Sequence, residues 1–472
     1  MAGEDDRALS VERHSVDRVP DSERYGRARG LFPVWFGANV QLTTVITGAL
    51  APVLGLTVTW SLLAIIVGNT FGAIFMALHS AQGPRLGIPQ MIQSRAQFGF
   101  FGAIAPIVLV ILMYVGFFAS SGVLAGDALS TPSHLGPNWT ISIVAAACVV
   151  ITVIGHRLVH LLERASSLIS ATALAYLTVL VLTSGHLATW SPGSFEFGPF
   201  LLMVAIAATW QISYAPYVAD YSRYLPAHTS IRSCFWWTYG GSVTASVWMM
   251  MLGALAAGAS PDALHQGFTG YLIGLTPAGL HWTIAVTLVL GVMAVNVLNL
   301  YGAFMSFTTI ATAFFRITVG KLARTAIVLA MATVGTALAI AGRGSFVASY
   351  TDFILFLTYF LVPWTAINLV DFYLVRREKY VIEDIFRPDG HYGSIAWKAL
   401  LAYATGVLIE VPFMNTSFYT GPFVQPLHGA DISWLLGLAV SSASYFLVMR
   451  RPSRELASNA DASTTRYAVE TP

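Results

Sequence analysis

Apolar stretches of membrane-spanning length recur along this chain, and nothing else in it constrains the fold as strongly. A helix crossing the hydrocarbon core of a bilayer needs about 20 apolar residues. Runs of that kind stand near 32–54, 57–79, 103–126, 140–156, 165–184, 199–218, 236–258, 283–306, 325–342, 351–374, 396–413 and 433–449. They are continuous rather than alternating with period two, so a transmembrane β-barrel is excluded. Only 10% of the 472 residues are charged, against roughly 25% in a soluble domain. The expected fold is therefore an all-α polytopic membrane protein of twelve transmembrane helices.

Lys and Arg test this threading independently. With the N-terminus inside, 24 of the 25 basic residues fall in the arm, the tail and the alternate loops assigned to the cytoplasm, leaving only Arg343 outside. Positive charge concentrated on one side of the threading sets orientation. Both termini are expected in the cytoplasm: a disordered arm over 1–30, a transporter domain over 31–449 and a tail over 450–472. The charged first thirty residues cannot form the apolar core of a signal peptide. The two cysteines, Cys148 and Cys234, lie far apart and supply no ligand set for zinc or an iron–sulfur centre.

Polar residues inside the spans cluster in particular helices. Leu201–Pro226 begins as an apolar helix, then meets Thr209, Trp210, Gln211, Ser213, Tyr214 and Pro216 before a charged end at Asp220–Tyr224. Non-helical backbone is tolerated at membrane depth only where protein or a watery cavity satisfies it, so a broken helix beside a solute site is the reading. The first span interleaves Asn39, Gln41, Thr43, Thr44 and Thr47 with small residues, which suits a break near Gly37–Gln41. Tyr114, Phe117 and Phe118 in the third span offer rings with small neighbours. Asn296 and Asn299 in the eighth lie three apart on one helix face, where lipid exposure would be costly. Interhelical hydrogen bonding is the plain reading for those amides; recognition of a nucleobase edge, which also mixes donors and acceptors, is the functional one.

Other features are weaker. Asp220 is expected to pair with Arg223, and Glu410, the most embedded acid, with a neighbouring helix. The loop over 80–102 reads as a solvated turn plus an interfacial helix. Gly68 and Gly72 form a GxxxG packing motif. The basic stretch His156–His160 is no metal site, and Asn138–Thr140 matches a glycosylation sequon only by three residues. No catalytic or phosphate-binding fingerprint occurs.

Four segments resemble the nucleobase:cation symporter family, the purine–cytosine permeases of bacteria and fungi. They are Phe32–Thr44, Gly83–Gly99 (GPRLGIPQMIQSRAQFG), Ala215–Pro226 (APYVADYSRYLP) and Asn296–Ala303 (NVLNLYGA), a likeness running from the first span to about the tenth. The resemblance implies two inverted five-helix repeats with helices one and six broken, plus two C-terminal helices. It implies inward carriage of a flat nitrogen heterocycle (cytosine, purines, uracil, hydantoins or allantoin) with sodium or a proton. By position, the base would stack between Tyr114 and Trp210, with Asn296 on its edge and Asn39, Gln41, Gln211 and Asn299 as further polar candidates. Phe118 stands where some relatives carry an amide. A cation site would use span-one carbonyls near Gly37 and Ala38 and span-eight hydroxyls near Thr287. Leu290 and Gly291 leave those hydroxyls thin, which favours protons over sodium.

The expected function is thus base import by alternating access across the plasma membrane, by a monomer without cofactor or nucleic-acid partner. The alternatives are a symporter of the same fold for a related heterocycle, a vitamin or an amino acid and, remotely, a membrane-embedded enzyme. The last lacks any nucleophile, metal triad or paired acids at depth.

Overall fold

The structure is a computed structural model that describes residues 17–154, 156–184, 192–260, 267–315 and 320–450. The first sixteen residues, Arg316, the tail beyond Arg450 and the side chains of His156, Arg157, His160 and Arg164 lie outside the described residues.

A helix stands at each of the twelve expected spans. Span one comes in two pieces, Leu31–Asn39 and Leu42–Val53. Spans two to five are Val58–Ser80, Ile104–Ser133, Pro137–Ile154 and His156–Thr183. Span six is Phe197–Ile212 followed by Ala215–Ser222. Spans seven to ten are Ile231–Ala259, His281–Phe314, Lys321–Gly342 and Phe346–Val370, and spans eleven and twelve are Trp397–Glu410 and Ser433–Met449. By length and composition alone, six stretches among the described residues could cross a membrane, seven with the bent pair of span one; Lys321–Val375, which holds spans nine and ten in succession, counts as one of them. Among the described residues the β content is an isolated Asn415–Thr420 bridge.

Span two packs on span six through its two motif glycines. A Cβ on Gly68 would run into the Val204 carbonyl and one on Gly72 into Ala208, so the small-xxx-small spacing serves close helix approach.

The 80–102 loop departs from the solvated turn expected of it. Its short helices Gln82–Leu86 and Gln90–Phe98 are buried almost throughout. Their amides find partners that a sequence cannot display: Gln82 donates to Asn368 Oδ1 at 2.8 Å and Gln97 to Asp371 Oδ2 at 2.9 Å, while Trp364 donates to Ser94 at 3.0 Å. The Gln90 N–H donates to Asp220 at 2.7 Å, tying the end of span six to this segment. Asp371 also accepts from Arg376, Tyr380 and Tyr445. Arg95 lies over the Phe100 ring at 4.2 Å, and burial pushes its guanidinium down to about 10.

From Asp17 onward the described part of the arm packs against the bundle. The Val19 N–H donates to the Gly87 carbonyl at 2.9 Å and the Tyr25 N–H to the Tyr224 carbonyl at 2.7 Å. Arg24 donates to the Val19 and Pro84 carbonyls and pairs with Asp21 at 3.1 Å. Gly87, at φ 68°, leaves the room that the guanidinium fills. The described part of the arm, the 82–98 segment and the end of span six, all assigned to one side by their basic residues, thus meet at one end of the bundle.

Candidate functional site

The site is organised by the bend in span one. Ala28–Asn39 and Leu42–Val53 meet at 61°, with Gln41 extended between them at φ −150°, ψ 161°. The interruption falls where polar residues crowd the sequence, because a broken turn frees backbone groups that these side chains then occupy. Gln41 Nε2 donates to the Ala38 carbonyl at 2.9 Å, and the Tyr214 hydroxyl donates to the same carbonyl at 3.3 Å. Span six is interrupted more gently, by a tight turn at Ser213–Tyr214 held by the Ser213 N–H donating to Thr209 and the Tyr214 N–H to Gln211.

Trp210 is buried against this bend. Its indole N–H donates to Asn39 Oδ1 at 2.8 Å. Asn39 in turn donates to the Trp35 carbonyl at 2.8 Å and to Ser242 at 3.1 Å. Gln211 continues the chain, accepting from Ser242 at 2.6 Å and donating to Asn69 at 2.9 Å and Ser246 at 2.6 Å. Asn39 and Gln211 are therefore structural: they tie spans one, two, six and seven into one polar seam. One buried acceptor beside that seam has no donor. It is Gln41 Oε1, and the hydroxyls of Thr43 and Thr44 next to it are also without partners.

The third span presents a different ring from the expected one. Phe117 stands edge-on to Trp210 with centroids 5.7 Å apart and edge-on to Phe353 at 5.0 Å. Tyr114, one turn earlier, packs on Tyr217 at 5.6 Å and over Gly302. There it joins Trp35, Tyr214 and Tyr221 in an aromatic cluster toward the basic end, Trp35 lying 5.6 Å from Tyr214 and 5.3 Å from Tyr221. The Phe118 ring points to Gly335 of span nine, outside the site. Asn296 accepts from Ser121 at 2.5 Å and from Asn299 at 3.4 Å, and donates to the Phe118 carbonyl at 3.3 Å. Asn296 fastens span eight to span three one turn from Phe117, and Asn299 supports it from within span eight.

For a cation, the Ala38 carbonyl faces the bend and the Gly37 carbonyl accepts from Val40 N–H at 3.2 Å. On span eight, the Thr287 carbonyl accepts from Ser170 at 3.4 Å, and the Ser170 hydroxyl fills the space beside Gly291. Span five thus contributes a hydroxyl that span eight lacks, a contribution for which the sequence carries no signal. No cluster of three metal-ligating side chains occurs among the described residues. At the end away from the basic segments, a cavity of about 500 Å³ opens between Val53, Leu54, Leu202, Arg343, Phe346 and Asp352.

A bent helix lined by rings and amides among apolar spans defines a membrane transporter of the broken-helix class. Residues 18–437 match the family model described as permease for cytosine/purines, uracil, thiamine, allantoin, and the chain belongs to that family. It is 45% identical over 443 residues to the putative purine-cytosine permease YxlA of Bacillus subtilis, covering 94% of this chain and 96% of that one. It is 25% identical to the purine-cytosine permease fcyB of Emericella nidulans, over 93% of this chain and 88% of the relative. In structure it is similar to Mhp1 in an inward-facing conformation, with a TM-score of 0.75, 21% identity and 94% of each chain covered. Mhp1 closed around bromovinylhydantoin gives a TM-score of 0.69 at 19% identity, over 93% of this chain and 95% of that one.

Proposed function

We propose that this permease is a secondary active transporter that imports a nucleobase, cytosine or a purine, with a coupling cation by alternating access. One observation carries the reading: Gln41 Oε1, a buried acceptor without a donor, sits at the span-one bend, two residues from the Asn39 that holds the Trp210 indole. A buried unpaired carbonyl is costly, and a flat base stacked against Trp210 offers the N–H that would satisfy it. The relatives named as purine-cytosine permeases support the substrate class.

In this reading the base stacks on Trp210 once the edge-on Phe117 ring turns aside, and Gln41 takes an N–H. Asn296 and Asn299 reach the remaining edge once the Ser121 hydroxyl yields. Tyr114 closes the path beneath, and Asn39 and Gln211 hold Trp210 in place. Phe118 acts only through its carbonyl bond to Asn296. The carbonyls of Gly37, Ala38 and Thr287, with the Ser170 hydroxyl, form the candidate cation position. The protein works as a monomer in the plasma membrane, termini in the cytoplasm, as the distribution of basic residues directs.

The test is uptake of labelled cytosine by cells lacking their own base permeases. Adenine, hypoxanthine, uracil, allantoin and hydantoin serve as competitors, with and without sodium and a protonophore. Saturable uptake blocked by one or two of these supports the reading and names the substrate. Absence of uptake of every base, in membranes shown to contain the protein, refutes it.

A further inference from the structure

Glu410, the last residue of span eleven, is fully buried, and neither carboxylate oxygen meets a donor. It faces Gly437 of span twelve, where no Cβ would fit beside it. One turn away the arrangement is reversed: Gly406 of span eleven makes room for Ser441 of span twelve, whose buried hydroxyl is also without a partner. The partner on a neighbouring helix that the sequence led one to expect is therefore missing.

The acid next to it is built in the opposite way. Asp431 Oδ1 accepts from the Ser433 N–H at 2.9 Å and the Ser433 hydroxyl at 2.5 Å, and Oδ2 accepts from Tyr359 at 2.7 Å and the Asn415 N–H at 3.0 Å. Four donors suit a carboxylate; none suits a carboxylic acid that keeps its proton. The groups facing Glu410 are Asp431 from the loop before span twelve, Tyr359 from span ten, Ser441 from span twelve and Tyr403 on its own helix. Tyr403 spends its hydroxyl proton on the Phe360 carbonyl at 3.1 Å. Among the described residues no Lys, Arg or His acts on Glu410. An ionised carboxylate there would face the Asp431 charge, with no cation opposite and with the Tyr359 and Tyr403 protons already spent on other acceptors.

We propose that Glu410 is a proton-binding site of this protein, taking one proton from water and returning it to water as span ten moves against spans eleven and twelve. The link to the base site is short. Tyr359, on Asp431, adjoins Thr358, whose hydroxyl pairs at 2.6 Å with Thr209, the residue before Trp210. Displacement of Trp210 is thereby passed to span ten and to the packing that keeps donors and water from Glu410. This role in coupling rests on the base-symporter reading; the protonation site does not.

Two measurements separate them. Dicyclohexylcarbodiimide modifies protonated carboxyls in apolar surroundings. Applied to the intact protein in lipid nanodiscs and mapped by peptide mass, it is expected to label Glu410 and spare Asp431, with labelling falling as pH rises. Labelling absent from Glu410 at every pH tested overturns the site, whatever the protein carries. Glu410→Gln, close in shape to the neutral acid and so compatible with the fold, is expected to retain base exchange between liposome interior and medium while losing accumulation driven by a proton gradient. Accumulation by Glu410→Gln with wild-type protonophore sensitivity overturns the coupling role. Glu410→Asp, which retains a titratable group, is expected to restore part of the accumulation.

Discussion

The two ends of the helix bundle are closed to different degrees. At the basic end, Trp35, Tyr114, Tyr214, Tyr217 and Tyr221 fill the space beneath the span-one bend ring against ring. The described part of the arm lies across that end, its Arg24 bonded to Pro84 and Val19. At the opposite end, beyond the last turn of span one, lies a cavity of about 500 Å³ with Arg343 and Asp352 on its wall. Aromatic contacts each contribute about 0.5–1.5 kcal/mol beyond their buried area; an open cavity has no such cohesion. The difference teaches where the packing is concentrated: ring contacts hold the basic end together, while a cavity leaves the other end less filled.

The strongest way to break this contrast is to remove the ring at the centre of the plug. Trp35→Ala is expected to destabilise the protein by about 3–5 kcal/mol, the range for a buried aromatic lost to a cavity, read as lowered melting in detergent with a nucleobase absent. A loss below about 1 kcal/mol would mean that the aromatic cluster is not what shuts the basic end. Next in size, Trp210→Ala removes a stacking face of roughly 1–3 kcal/mol, and should raise KM for the transported base at least about fivefold. Gln41→Leu, which removes the unpaired acceptor, should raise KM by a smaller factor, about five from roughly 1 kcal/mol, and leave melting unchanged or higher. Asp352→Asn should change least: Asp352 accepts from the Ser417 N–H at 2.9 Å near the open cavity, and an exposed contact of this kind is worth less than about 1 kcal/mol. A larger effect there than at Gln41 would invert the account.

Much of this was legible in the chain. Apolar length and the sidedness of Lys and Arg placed a helix at each observed span, and the polar residues between Asn39 and Gln41 marked the bend to within a residue or two. Helix phase was not legible. Span three is apolar nearly all round, so its sequence does not say which face looks at span six; Phe117 takes the place expected of Tyr114, and Phe118 turns to span nine. Asn39 and Gln211 were visible as polar groups at depth, but their partners Ser242, Asn69 and Ser246 come from other helices. Ser170 and the donorless state of Glu410 likewise depend on tertiary contacts. The 82–98 helices read as solvated because Gly, Pro and Gln suit a loop, while the acceptors that bury them lie nearly 300 residues away at Asn368 and Asp371.

The central claim, that a base sits at the span-one bend between Trp210 and Gln41, is tested most directly by exchange of labelled cytosine or adenine in liposomes holding the purified protein. Exchange needs no ion gradient, so it isolates the site from the coupling. Saturable exchange by the wild type, with KM raised in Gln41→Leu and raised further in Trp210→Ala at equal protein content, is the predicted result. Exchange in Trp210→Ala with the wild-type KM would contradict it.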